Sequence, residues 1–261
     1  MTPDRAWLAA AGLGLAANGL LAVGTWLASL RARDVSIVDS VWAFLVLVPA
    51  CVVAAVSTPI GARAAAVLTM ATAWALRLAG YITWRHRGQP EDKRYQAIRR
   101  RNQPHFERKS LYLVFGLQAA LGWIVALPLM AVAAGRAGWH GLDAAGIALF
   151  LFGLAFETTA DAQLARFKAD PAHNGQVMTY GLWRYSRHPN YFGECCVWWG
   201  LWLVALAAGA WWTVASPLLM TLLLLRVSGV ALLEKDLAGR HPEYGDYVRR
   251  TNAFFPGSPR P

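Results

Sequence analysis

Apolar residues along this chain fall in long uninterrupted blocks, not in the short amphipathic repeats of soluble helices. A membrane-crossing helix needs roughly 18 to 20 such residues. That length picks out seven blocks, at about 6 to 30, 35 to 57, 62 to 84, 111 to 134, 143 to 161, 190 to 209 and 211 to 234. The pattern predicts an all-α polytopic membrane bundle of about seven spans. It is expected to form one integral domain over 1–261, with the first span in 1–34 and the rest of the bundle in 35–261. Two polar segments interrupt it, 85–110 and 162–189. In the first, Pro90 and Pro104 break any long helix, and a short surface helix is expected around 91 to 102. The second carries the turn signals Asp170-Pro171 and Asn174-Gly175 and is long enough to fold back over one mouth of the bundle.

Composition agrees: of 261 residues, 56% are hydrophobic and 15% charged, with 13 Trp. The charge then sets an orientation. Segments 31–34, 85–110, 162–189 and the tail from Lys235 hold 2, 9, 4 and 5 of the 25 Lys and Arg, while the opposite side holds only Arg5, Arg63 and Arg136. The positive-inside bias reads this as amino terminus out, carboxy terminus in. The net charge of +10 therefore needs no nucleic acid, although an anionic cofactor or lipid could use the inner face. The first block is longer than the apolar part of a cleaved signal, so it is expected to be retained. Cys51, Cys195 and Cys196 fall within spans and the six His are scattered, so neither a disulfide framework nor a metal site is expected. No obligate protein partner is expected.

Residues 182–194 read LWRYSRHPNYFGE, and they carry the candidate chemistry. Pro189 suits the first helical position, so the sixth span is expected to begin there. Asn190 and Glu194, four apart, then share one helix face. Glu194 lies roughly 7 Å along that helix at 1.5 Å per residue. An unpaired carboxylate at that depth costs several kcal/mol, and Arg184, Arg187 and Arg226 are the candidate partners. Other ionisable residues within or beside spans follow the same trend toward the inner side: Asp39, Arg77, Glu157, Asp161, Arg226 and Glu234. Each pair alone reads as a structural ion pair, whereas the whole set predicts a polar cavity open to the cytoplasm.

GLWRYSRHPNYFGE, the upstream FETTADAQLARFKADP and the downstream run from LLLLRVSG to NAFFP resemble the bacterial membrane proteins of the DUF1295 group. That group is placed with the steroid 5-alpha-reductase carboxy-terminal domain superfamily. The resemblance implies a bundle that holds NADPH in its cytoplasmic half and reduces a carbon–carbon double bond of a lipid-like enone, of steroid or isoprenoid type, entering from the bilayer. By position it implies that Asn190 and Glu194 meet the nicotinamide end, that Asp161 lies near the adenosine ribose, and that Arg166 or Lys168 meets phosphate. Tyr185, Arg187 and His188 would belong to the pocket wall, with Tyr244 and Tyr247 closing it. Arg226 and Glu234, on one stripe of the seventh span, complete the candidate cofactor set. The superfamily's Gln-Glu pair in the second span is absent, because IVDSVWAF stands there; Asp39 is the nearest equivalent and, with Tyr81, the catalytic candidate. The implied location is the bacterial inner membrane.

RHPNYFG and PEYGDYV also resemble the isoprenylcysteine and phospholipid methyltransferases, which bind S-adenosylmethionine at the same inner face. The seven blocks and the segment after the fifth side with the reductases. A lipid-binding or assembly protein without catalysis is a third reading.

Overall fold

A computed structural model describes residues 4–135, 138–227, 230, 234 and 244–260, and among them the structure is helical, with no strand. The chain forms two compact units, one of 1–139 with 205–213 and one of 140–204 with 214–261.

In the first unit, α1 (Arg5–Ala32), α2 (Ile37–Val56) and α3 (Ala62–His86) follow the first three apolar blocks. The short helix α4 (Lys93–Arg101) lies where the polar segment predicted one. The fourth block is broken: α5 (Phe106–Ser110) continues through a π turn (Leu111–Gly116) into α6 (Leu117–Val125), and α7 (Leu127–Ala134) leaves at 49°. Pro128 explains the bend, since its ring lacks an N–H and collides with the carbonyl one turn back. Helix α2 packs against α1, α3, α6 and α7. Val38, Leu45 and Val46 on α2, Trp74 on α3, Phe115 in the π turn and Leu129 on α7 are fully buried. A Cβ at Gly122 would lie 2.9 Å from the Leu45 carbonyl oxygen, so α6 approaches α2 through its bare backbone. Asn18 and Trp123 each donate a 2.9 Å hydrogen bond to a carbonyl across the α1–α6 pair. The outer face of α1 presents Leu8, Leu13, Leu20 and Leu27 unburied, as a lipid-facing helix does.

The second unit is built on α8 (Gly141–Ala169) and α9 (Pro189–Ala207). Helix α8 runs eight residues past the end expected for the fifth block, because DAQLARFKA keeps a helical former at nearly every position. The sixth helix starts at Pro189, as its favourable position there predicts. Helix α10 (Ala215–Leu222) passes into a π turn (Leu223–Val227), and α11 (Tyr244–Arg250) lies in the tail. Cys195 Sγ and Trp199 Nε1 each lie 3.3 Å from Thr221 Oγ1, so α9 and α10 are neighbours.

Among the described residues, four helices are long and apolar enough to cross a membrane, and five if the bent pair counts as one span. Helix α9 is not among them, because Asn190, Tyr191, Glu194, Trp198, Trp199 and Trp202 dilute its 19 residues. The seventh block is apolar over Trp211–Val227; residues 228, 229 and 231–233 of it, like Arg136 and Lys235, lie outside the described residues.

Candidate functional site

Four glycines decide where α8 and α9 meet. A Cβ at Gly146 would lie 2.7 Å from the Gly200 carbonyl oxygen, and one at Gly153 would lie 2.6 Å from that of Gly193. Each pair is seven residues apart, and the pairing runs in opposite directions, so the helices are antiparallel with their backbones touching along one seam. The seam fixes what lies past its end. One turn beyond the Gly153–Gly193 contact are Glu157 and then Asp161 on α8, and Asn190 in the first turn of α9. Asn190 Nδ2 donates to Asp161 Oδ1 at 3.1 Å. Asp161, Glu157 and Glu194 are all buried, and Glu194 Oε1 accepts the Trp198 indole N–H at 3.0 Å.

Just before α9, Arg187 is caged. Its Nε and Nη2 meet Glu234 Oε1 at 2.8 and 2.7 Å, and its Nη1 donates to the carbonyls of Val248 and Thr251. His188 Nε2 lies 3.3 Å from the same Glu234 oxygen, and its ring is parallel to that of Tyr191. Burial holds the imidazole pKa below its ordinary value, since the pull of Glu234 is partly cancelled by Arg187. The tail is sewn to this motif. Arg187 N donates to Asn252 O, Ser186 Oγ to Phe254 O, and Tyr247 Oη to Trp183 O at 2.5 Å. Tyr244 Oη is buried beside Arg187 without a hydrogen bond of normal geometry among the described residues, and burial pushes its pKa up to about 12.

The other expected cofactor residues stand apart from these contacts. Arg166 and Lys168 are exposed at the end of α8, Arg226 is exposed in the π turn, and Tyr185 is exposed while its carbonyl accepts from Gly257 N. Arg226 was one of three arginines expected to answer Glu194, and Glu234 was set on its stripe; the arginine that meets Glu234 is instead Arg187, which precedes α9. An ion pair cannot be assigned from helical spacing alone when a loop can bring in a competitor.

In the first unit, both oxygens of Asp39 are engaged: Arg94 Nη2 donates to one at 2.8 Å and Tyr95 Oη to the other at 2.5 Å. Gln118 Nε2 donates to the Tyr95 oxygen at 3.0 Å. Burial and the adjacent Asp39 carboxylate both raise the Tyr95 pKa, so the phenol keeps its proton. Tyr81, on α3, has the guanidiniums of Arg77 and Arg85 each 5.5 Å from its ring centre, one turn to either side. Tyr95 was missed in the sequence. Its signal was a buried tyrosine in a helix where five of the nine residues are basic, KRYQAIRRR.

The sequence profile of DUF1295, described as a protein of unknown function, matches residues 25–251. The chain belongs to the DUF1295 family. No curated protein and no solved structure matches it. The matched range takes in both clusters, the one around Asp39 and the one around Arg187.

The two clusters of this DUF1295 chain differ in what they leave open. Around Asp39 each carboxylate oxygen accepts a hydrogen bond from α4, which makes a latch holding α4 to the first turn of α2. Ser36 Oγ accepting from Asp92 N at 2.7 Å and Glu91 Oε1 accepting from Val35 N at 3.0 Å reinforce it. In the second unit, groups remain to bind something. The Asn190 carbonyl oxygen keeps its acceptor capacity after Nδ2 is committed to Asp161, and the Tyr244 phenol is a buried donor. These groups fit the polar end of a dinucleotide, since an amide pairs with a carboxamide and a carboxylate with a ribose hydroxyl.

Proposed function

We propose that this DUF1295 protein is a membrane-embedded NADPH-dependent reductase of a carbon–carbon double bond in a lipid-like enone, seated in a bacterial inner membrane. In this reading it has seven spans, with the amino terminus out and the carboxy terminus in. The observation that carries it is the Asn190–Asp161 pair, an amide and a carboxylate brought together at 3.1 Å where an antiparallel backbone seam ends. A purely structural contact at that place would be met more cheaply by apolar side chains. NADPH, when bound, supplies the hydride for the enone. Asn190 would orient the carboxamide through its free carbonyl oxygen, Asp161 would accept from a ribose hydroxyl, and Tyr244 would donate its unspent phenol proton in a hydrogen bond. Glu194, deeper on α9, is buffered by Trp198 and holds the wall behind Asn190. Arg166 and Lys168, exposed at the end of α8, would meet phosphate. Asp39 is assigned a positioning role, because its two oxygens already accept from Arg94 and Tyr95.

Arg187, His188, Tyr244 and Tyr247 packed together also support the methyltransferase reading, since they bring that resemblance's RHP and EYGDY residues into one cluster. The two readings part on ligand. In detergent-purified protein, saturating NADPH is expected to raise Tm and S-adenosylmethionine to leave it unchanged, because only a ligand of the folded state stabilises it. Asn190→Ala is expected to keep the ligand-free Tm near wild type and to shrink the NADPH shift. Stabilisation by S-adenosylmethionine alone would exchange the reductase for the methyltransferase.

A further inference from the structure

A cleft of about 890 Å³ opens in the second unit between the loop ahead of the RHP motif and the tail, and the NADPH contacts proposed above use none of its lining residues. Its loop wall includes Thr179, Tyr180 and Arg184, and its tail wall includes Arg250 and Arg260. The walls are held by backbone bonds. Arg260 N donates to Arg250 O at 2.8 Å, Gly257 N to Tyr185 O at 3.0 Å, and Thr251 N to Tyr247 O at 2.9 Å. The cleft is therefore framed by fixed backbone on both sides, although its lining side chains are long.

Its charge is unbalanced. Three arginines line it against one acid, Asp246, and that acid is already paired with Arg249. The guanidiniums of Arg184 and Arg250 meet no carboxylate among the described residues, and that of Arg260 reaches only the Asn252 amide oxygen, at 3.3 Å. Surface arginines normally spread apart or pair; three around one concavity repel each other until an anion arrives. Guanidinium matches phosphate oxygens two at a time, so several arginines around one hollow select a phosphate-rich ligand over a single carboxylate.

Size and an aromatic ring narrow the class further. The volume lies toward the upper end of the roughly 300 to 1,000 Å³ that small-molecule sites occupy, far more than one phosphate fills. Tyr180 is 49% exposed at the wall. Its ring is braced from behind by Phe167, with centroids 5.9 Å apart, and by His173 at 6.4 Å, while Phe167 and His173 stack on each other. A half-exposed ring held by two others is a platform for a flat base.

We infer that this cleft binds a nucleoside diphosphate group, with its phosphates on Arg184, Arg250 and Arg260 and its base against Tyr180. The group could arrive as a free nucleotide or as the diphosphate end of a dinucleotide, and the inference stands whether or not the protein is a reductase. The test is a fluorescence-anisotropy titration of the full-length protein in detergent with a fluorescent ADP derivative, competed by ADP, inorganic pyrophosphate and adenosine. ADP and pyrophosphate are expected to displace the probe, and adenosine is not. Arg184→Gln and Arg250→Gln, both exposed and so harmless to folding, are each expected to weaken ADP by roughly tenfold or more, as the loss of a charged hydrogen bond does. Tyr180→Ala is expected to weaken ADP and to spare pyrophosphate. Arg108→Gln, exposed and outside the cleft, is expected to change nothing here. Displacement of the probe by NADPH would identify the dinucleotide as occupant; NADPH binding without displacement would identify a free nucleotide. Failure of the probe to bind, or equal ADP affinity in wild type and an Arg184→Gln/Arg250→Gln double variant that keeps the wild-type Tm, would overturn the assignment.

Discussion

One carboxylate oxygen, Oε1 of Glu234, receives Arg187 at 2.7 Å and His188 at 3.3 Å. The guanidinium has the shorter and doubled contact, so it takes most of the carboxylate's charge, and the imidazole beside it is better off neutral. Burial adds to this, leaving the folded-state pKa of His188 below the ordinary 6.5. A histidine depressed in this way contributes stability that is complete above the unfolded pKa and is lost as pH falls toward the folded one, because the unfolded chain takes up a proton that the folded chain refuses. Wild-type protein is therefore expected to lose Tm between pH 7.5 and pH 5.5, and His188→Gln to lose less over the same interval. Asp34 and Asp92 do not confuse the reading, since both are held below 3.8, where burial is outweighed by hydrogen bonds from His86 and Ser36 in one case and Arg94 in the other. Their contribution stays in place until the pH falls past that value. Equal slopes in the two proteins would remove His188 as the titrating group.

Between elements, the α8–α9 seam puts the sharpest demand on the sequence. A Cβ at Gly153 meets backbone, the Gly193 oxygen at 2.6 Å and the Val197 nitrogen at 2.7 Å, and no rotamer change can relieve either. Gly153→Ala is expected to cost about 1 to 3 kcal/mol by forcing the helices apart. Gly19 on α1 has open space where its Cβ would go, so Gly19→Ala is expected to be neutral or to gain up to about 1 kcal/mol from helix propensity. Tm in detergent separates the two, and an equal effect at both positions would argue against a tight seam. The seam was written in the sequence as Gly146, Gly153, Gly193 and Gly200, yet block hydropathy averages over single residues and could not see it. Periodicity did place α1 to α4 and the start of α9, because length and Pro189 fix those without knowledge of neighbours. It did not foresee the bend at Pro128, where a block that averages as one span is two helices. Nor did it find Tyr95, whose buried place depends on α2 and α6 being present.

For the whole molecule, the basic residues and the apolar blocks are tied to one another by the lipid. An odd number of crossings must put the two termini on opposite sides, and an even number must put them together. The described helices supply four to five candidate spans by length and composition. The count reaches seven only if α9 crosses despite Asn190 and Glu194, and if the stretch from Trp211 crosses too. Both conditions are physically reasonable. The polar residues of α9 lie in its first two turns, leaving an apolar run from Cys195 onward, and Trp and Tyr are at home at the membrane boundary. The Lys and Arg of 85–110 and of the tail then share the inner side, while Gly138, between the fourth and fifth spans, faces out. A reporter active only in the cytoplasm is expected to be active when fused after residue 261 and silent when inserted after Gly138. If α9 instead lay flat on the surface while the neighbouring helices crossed, the crossings would number six and the two termini would share a side. The reporter at the carboxy terminus would then match one placed ahead of Asp4, and that match would sink the seven-span topology whatever the protein binds.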